Sequence, residues 1–175
     1  MPWKDRVAEV VDRQPWLDRV GETAEDVARP VLERPDAEPA VAFLRGDWLG
    51  HPLHPALTDI PIGCWTASAL LDLVCESRAA GVLTAAGSTA AVAAAASGFV
   101  DWTATEGRAR RYGVAHALLN TGALALQLCS LGFRVRGRKL RAFSFSLLGL
   151  SVATASAWLG GEIALGQADQ VGQTR

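Results

Sequence analysis

Three histidines occur in the chain, and two of them lie three residues apart in the run His51-Pro52-Leu53-His54-Pro55. The third, His116, is followed four residues later by Asn120, a spacing that puts both side chains on one face of a helix. Imidazole nitrogen suits iron, zinc and copper, and a carboxylate can complete or orient such a centre. The chemistry these residue types point to is ligation of a metal or of haem iron. His54 and His116 are the candidate cofactor ligands. The candidate metal set is His51, His54, His116, Asp101 and Glu162, with Asp59, Trp102 and Asn120 in support.

Whether these residues meet depends on the elements that carry them. Four apolar segments stand out, at about 56–75, 79–100, 112–133 and 142–161. The second, third and fourth hold no charged residue over 22, 22 and 20 positions. About 20 residues at 1.5 Å rise cross a hydrocarbon core roughly 30 Å thick. The first segment meets that requirement if Asp59 and Asp72 sit at its interfaces. A soluble helix of this length would carry Lys, Glu or Arg on its exposed face, and three of the four carry none. The expected fold is therefore all-α: a four-helix transmembrane bundle over residues 48–167, a polar tail at 168–175 and a short amphipathic helical arm at 1–47.

The arm differs in character. Residues 1–50 hold 7 Lys/Arg and 11 Asp/Glu, whereas residues 51–175 hold 10 and 7. Its start, Met1-Pro2-Trp3-Lys4-Asp5-Arg6, has no apolar core and does not read as a secretory signal. Val20, Ala24, Val27 and Val31 recur at roughly helical spacing, and Pro15, Pro30, Pro35 and Pro39 are expected to break the arm into a pair of short helices. These would lie on the membrane surface or on the bundle, with Trp16 and Trp48 at headgroup level. A docking arm for a partner is the sharper alternative. Cys64, Cys75 and Cys129 form no CxxC pair and read as small buried hydrophobes.

Four spans joined by short loops alternate in direction. The start of the first, the end of the second, the start of the third and the end of the fourth then share a membrane face. That face collects His51, His54 and Asp59, then Asp101 and Trp102, then His116 and Asn120, then Glu162. The opposite face collects Asp72, Glu76 and Arg78 in one loop and Arg134, Arg136, Arg138, Lys139 and Arg141 in the other. Pro55 marks the first turn of the first helix, with His54 at its cap and His51 in the entering loop. Bis-imidazole haem would need the His54 and His116 rings to face each other across an apolar slot, for which Gly63, Gly113 and Gly122 offer small surfaces. A single metal ion suits their interfacial depth at least as well.

The run Trp48-Leu49-Gly50-His51-Pro52-Leu53-His54-Pro55, with Thr58-Asp59-Ile60-Pro61-Ile62-Gly63, resembles the opening motif of the DUF2231 family. Gly98 with Asp101-Trp102, His116-Ala117-Leu118-Leu119-Asn120 and Leu159-Gly160-Gly161 follow in the family's order. The resemblance covers about residues 45–167, and the arm is similar to the extension on actinobacterial members. It implies a four-helix bacterial membrane domain of unassigned biochemical role. Some members carry an attached Rieske-type iron–sulfur domain, which implies redox chemistry nearby. The tail Gly166-Gln167-Ala168-Asp169-Gln170-Val171-Gly172 departs from the family's Gly-Val-Gly stretch.

The leading expectation is a plasma-membrane protein with a His/carboxylate site at one face, holding haem or a transition-metal ion and linked to redox chemistry. A non-catalytic anchor or scaffold for a redox partner is the alternative. The lipid bilayer, a redox protein and a second copy of the chain are the expected partners, and nucleic acid is not. Uncharged helix interiors argue against transport. No Gly-x-Ser-x-Gly elbow or phosphate-binding loop supports hydrolysis or nucleotide binding. Counting Lys and Arg places the basic loop in the cytoplasm, with the termini and the histidine face outside.

Overall fold

A computed structural model describes the backbone of residues 3–173 and the side chains of residues 6–7 and 9–161. Seven α-helices and one short 3-10 turn make up the described residues, with no strand among them. Helices α1 (Trp3–Asp12), α2 (Trp16–Leu32) and α3 (Glu38–Arg45) form the arm. Helices α4 (Leu53–Leu73), α5 (Ser77–Thr103), α6 (Gly107–Val135) and α7 (Lys139–Gln173) follow, separated by three-residue loops. Connections that short force antiparallel neighbours. Accordingly α4 pairs with α5 and α6 with α7, while α5–α6 and α4–α7 contacts close the ring.

The helices overrun the apolar segments at most ends, because flanking charged residues continue the helix beyond the uncharged stretch. Helix α6 starts at Gly107, five residues before the uncharged run at Tyr112. Three helices are long and apolar enough to cross a membrane: Ser77–Thr103, Gly107–Val135 and the Lys139–Gly161 part of α7. Helix α4, expected as the first of four spans, falls outside that group; His54, Asp59, Pro61 and Asp72 all lower its hydropathy. Pro61 is accommodated inside α4 and Pro30 near the end of α2, so neither divides its helix.

The bundle interior is built of small and hydroxyl-bearing residues around Trp65, and large aliphatic side chains face outward. Ser68, Thr84, Ser97, Gln127, Ser130, Ser146 and Ser156 have no exposed surface, while Leu70, Val82, Val92, Leu128 and Leu148 are more than half exposed. Water would reverse that distribution; lipid favours it, because helices in lipid gain little by hiding leucine and associate through small residues and hydrogen bonds. The buried hydroxyls are bonded. Ser68 donates to the Ala80 carbonyl at 2.8 Å and Ser130 to that of Ala142 at 2.7 Å, clamping each hairpin near its turn.

The arm folds back on the beginning of α6. Asp12 takes Arg108, Asp18 takes Arg111 and Glu25 takes Arg110. Leu17 and Gly21 are buried at this junction, Gly21 facing Trp102 and Val114. The valine stripe faces away from the bundle: Val20, Val27 and Val31 are exposed. Ion pairing with the Arg108–Arg111 segment selects the face carrying Asp18 and Glu25, and the valines lie on the other side. Ser97 of α5 donates to the Leu44 carbonyl, which ties α3 to the same end of the bundle.

Candidate functional site

His54 and His116 come from α4 and α6, which are diagonal in the ring, and their side chains meet with ring centres 6.1 Å apart and planes nearly perpendicular. Helix α4 begins at Leu53, so His54 stands in its first turn rather than at its cap. Both rings are part-buried and fixed in the same way. His54 Nδ1 lies 2.8 Å from the Ala94 carbonyl oxygen of α5, and His116 Nδ1 lies 2.8 Å from the Ser156 carbonyl oxygen of α7. A carbonyl only accepts, so Nδ1 carries the proton on each ring and Nε2 presents a lone pair. Metal-binding imidazoles are oriented in this way, by one ring nitrogen donating to an outer carbonyl.

Glycine sets how closely the rings seat. A Cβ on Gly98 would fall 2.6 Å from the His54 ring, and one on Gly160 would fall 3.0 Å from that of His116. The Ser156 hydroxyl adds a bond to the His116 carbonyl at 3.0 Å. Asn120 Nδ2 lies 2.9 Å from His116 Nε2 and donates to it, so the amide occupies the nitrogen a metal would take.

The other sequence candidates are distributed more widely. Asp101 lies within electrostatic reach of His54, together with Arg45 and Asp47. His51 is exposed, its Nδ1 3.1 Å from the carbonyl of Pro52. Asp59 is exposed on α4. Trp102 stacks on Phe99, donates to the Arg110 carbonyl at 3.0 Å and faces Gly21 of the arm, so it joins the arm to the bundle. The side chain of Glu162 lies outside the described residues. Among the described residues no three His, Cys, Asp or Glu side chains converge as a metal-ligand cluster. The protein groups that do meet are two imidazoles and an amide.

Of the three glycines expected to line a haem slot, two are open and one is covered. Gly63 and Gly122 have nothing near an added Cβ, and the space beside Gly113 is filled by the Trp102 indole. The glycines that matter to the histidines are Gly98 and Gly160. Both stand in the motif residues that follow the histidines in sequence, which was the available signal. The carbonyls of Ala94 and Ser156 had none, since any residue supplies one.

With this geometry in place, comparison assigns the class. The chain matches the family model described as "Predicted membrane protein (DUF2231)" over residues 50–174 and belongs to that family. With three apolar helices of spanning length, it is a multi-pass membrane protein. Neither the curated proteins nor the solved structures gave a match.

Proposed function

We propose that the protein is a four-helix transmembrane domain that holds a single transition-metal ion between His54 and His116, near the membrane face covered by the arm. One observation carries this reading: two imidazoles from different helices meet with both Nδ1 atoms committed to main-chain carbonyls. Spacing supports it. Metal–nitrogen bonds of about 2.0–2.1 Å on each side, plus the ring radii, put two shared rings roughly 6 Å apart, and the observed centres are 6.1 Å apart. Imidazole donors suit first-row ions, and copper(II) heads their affinity order. Water, Asp101 or Glu162 would supply the remaining positions. Haem iron would use the same two nitrogens at much the same separation, and the Trp102 indole over Gly113 is what weighs against it.

Helix α4 is the fourth span of this reading. Two of its polar residues support that role, with Asp72 paired with Arg134 inside the bundle and His54 facing the other histidine, and the exposed Asp59 lies within two turns of the helix start. The five basic residues around the α6–α7 loop, Arg134, Arg136, Arg138, Lys139 and Arg141, outnumber the three at the start of α6, Arg108, Arg110 and Arg111. That favours a cytoplasmic α6–α7 loop and an outer histidine face.

The test is elemental analysis and visible absorption of detergent-purified protein, native and after loading with copper(II). About one ion per chain, lost in His54→Ala and in His116→Ala, is the expected result. A Soret band would replace the ion by haem. Neither metal nor chromophore would leave the anchor reading in its place.

A further inference from the structure

The two histidine contacts are related by a constant offset. His54 to His116 is 62 residues, and so is Ala94 to Ser156. The same offset relates Gly98 to Gly160, the glycines against the two rings. It relates the clamp Ser68–Ala80 to the clamp Ser130–Ala142. It relates Gly87, packed on Cys64 and Trp65, to Gly149, packed on Leu126 and Gln127. The helix ends at the two hairpin turns obey it as well: α4 ends at Leu73 and α6 at Val135, while α5 starts at Ser77 and α7 at Lys139. Even the turn between them repeats, with φ of 65° at Cys75 and 68° at Gly137.

We infer that the bundle is a tandem repeat of one helical hairpin, and that its two halves share one ligand on the axis relating them, between His54 and His116. The ligand half of this statement rests on the metal-site reading above. The ring order supports the axis, since exchanging α4–α5 with α6–α7 maps each contact among these four helices onto another: α5–α6 becomes α7–α4. Helices α4 and α6 run parallel, so the axis lies along the bundle and the membrane normal, as in parallel-repeat transporters. Residues equivalent under the offset meet across it twice. One meeting is His54 with His116; the other is Asp72 with Arg134. Eighteen residues of helix separate the two meetings on α4, about 27 Å at 1.5 Å per residue, close to the roughly 30 Å of a hydrocarbon core.

The two ends of the axis have diverged differently. Identical residues at the histidine end suit one ligand seen equally from both sides, because each hairpin brings the same nitrogen with the same outer carbonyl. Opposite charges at the other end suit pairing between unlike halves. Two identical hairpins would bring carboxylate to carboxylate or guanidinium to guanidinium there, so the Asp72–Arg134 pair specifies assembly of one half with the other. The clamp serine is present in both halves: Arg134 reaches Ser68 at 3.4 Å, and Ser130 is the equivalent hydroxyl for an arginine at 72. Gly81, beside the Arg134 stem, has Phe143 as its equivalent.

Two measurements on the full chain separate the parts. For the repeat, the charges are exchanged in Asp72→Arg, Arg134→Asp, with Phe143→Gly to clear the stem. The exchanged protein is expected to elute as a monodisperse helical species, while Asp72→Arg and Arg134→Asp alone aggregate. An exchanged chain as poorly behaved as the single variants would overturn the equivalence of the halves. For the shared ligand, copper(II) is titrated into each protein. The native chain is expected to take one equivalent, with affinity falling at least 100-fold in both His54→Ala and His116→Ala. Retention of native affinity by either variant would mean that the halves bind separately and would overturn sharing. A native chain that takes no copper sinks the metal reading and the shared ligand together, and the charge exchange still decides the repeat.

Discussion

Arg134 and Asp72 form a two-pronged ion pair, with Nη1–Oδ1 at 2.7 Å and Nη2–Oδ2 at 2.6 Å, and only 8% and 5% of the two side chains are exposed. The pair joins the diagonal helices α4 and α6 at the end of the bundle away from the histidines. Removing one member strands a charge in a protein and lipid interior, which typically costs about 3–5 kcal/mol, whereas replacing both by apolar residues of similar size is often neutral. Arg134→Ala is therefore expected to lower the thermal midpoint in detergent sharply, and Asp72→Leu with Arg134→Met much less. Circular dichroism on the three proteins decides it. A double variant no better than Arg134→Ala would mean that the pair contributes net stability beyond avoiding a stranded charge.

Close packing at the rings leads to a second expectation. A methyl group on Gly98 would sit 2.6 Å from the His54 ring, against 3.0 Å for Gly160 and His116. Over-packing of this kind costs about 1–3 kcal/mol or displaces the side chain. Gly98→Ala should therefore weaken copper binding more than Gly160→Ala, with little change in helix content. Equal binding by the two variants and the native chain would show that the ring positions do not control the site.

Much of this architecture is legible in the residues. Uncharged runs of about 20 residues mark three spans directly, and alternation of those spans brings His54 and His116 to one end. What periodicity misses is physical in origin. Hydropathy cannot tell that Asp72 is neutralised by Arg134, because that partner lies 62 positions away on a diagonal helix. The exposed valines of α2 carry the clearer apolar pattern, yet the arm docks through Asp12, Asp18 and Glu25, each paired with one of three arginines. His51 shares the motif of His54 but precedes the helix, so its ring points to its own loop. The repeat is nearly invisible because lipid-facing positions accept any apolar residue. Apart from Leu57 and Leu119 and a few alanines, identity is held at contacts between helices: His54 and His116, Ser68 and Ser130, Gly87 and Gly149, Gly98 and Gly160.

Docking of the arm should be acid-sensitive at low pH and insensitive near neutrality. The hydrogen-bonded Arg111 guanidinium holds the Asp18 carboxyl below the ordinary carboxylate range. A free aspartate titrates near about pH 3.9. With the folded value below that, the stabilisation is fully present above the unfolded value and is lost as pH falls through the folded one. Limited proteolysis of the arm should then be unchanged between about pH 7 and pH 5 and accelerate below about pH 4. Asp18→Asn should show faster cleavage already at neutral pH, and added salt should act in the same direction on the exposed pairs. Cleavage that accelerates between pH 7 and pH 5 would place the sensitive group elsewhere.

Asn120 sets up the sharpest test of the histidine pair, because its amide holds His116 Nε2 at 2.9 Å, the nitrogen needed for ligation. The equivalent residue beside His54 is Thr58, whose hydroxyl turns back to the Pro55 carbonyl at 2.7 Å. His54 is therefore not closed by its counterpart, and His116 opens only when the amide swings away. A hydrogen bond of this kind is worth about 0.5–1.5 kcal/mol net, so Asn120→Ala should bind copper(II) roughly 2- to 10-fold more tightly, with the gain in the association rate. Thr58→Ala should leave both affinity and rate near the native values. If Asn120→Ala instead binds more weakly, the amide orients the ring for the metal and does not guard it.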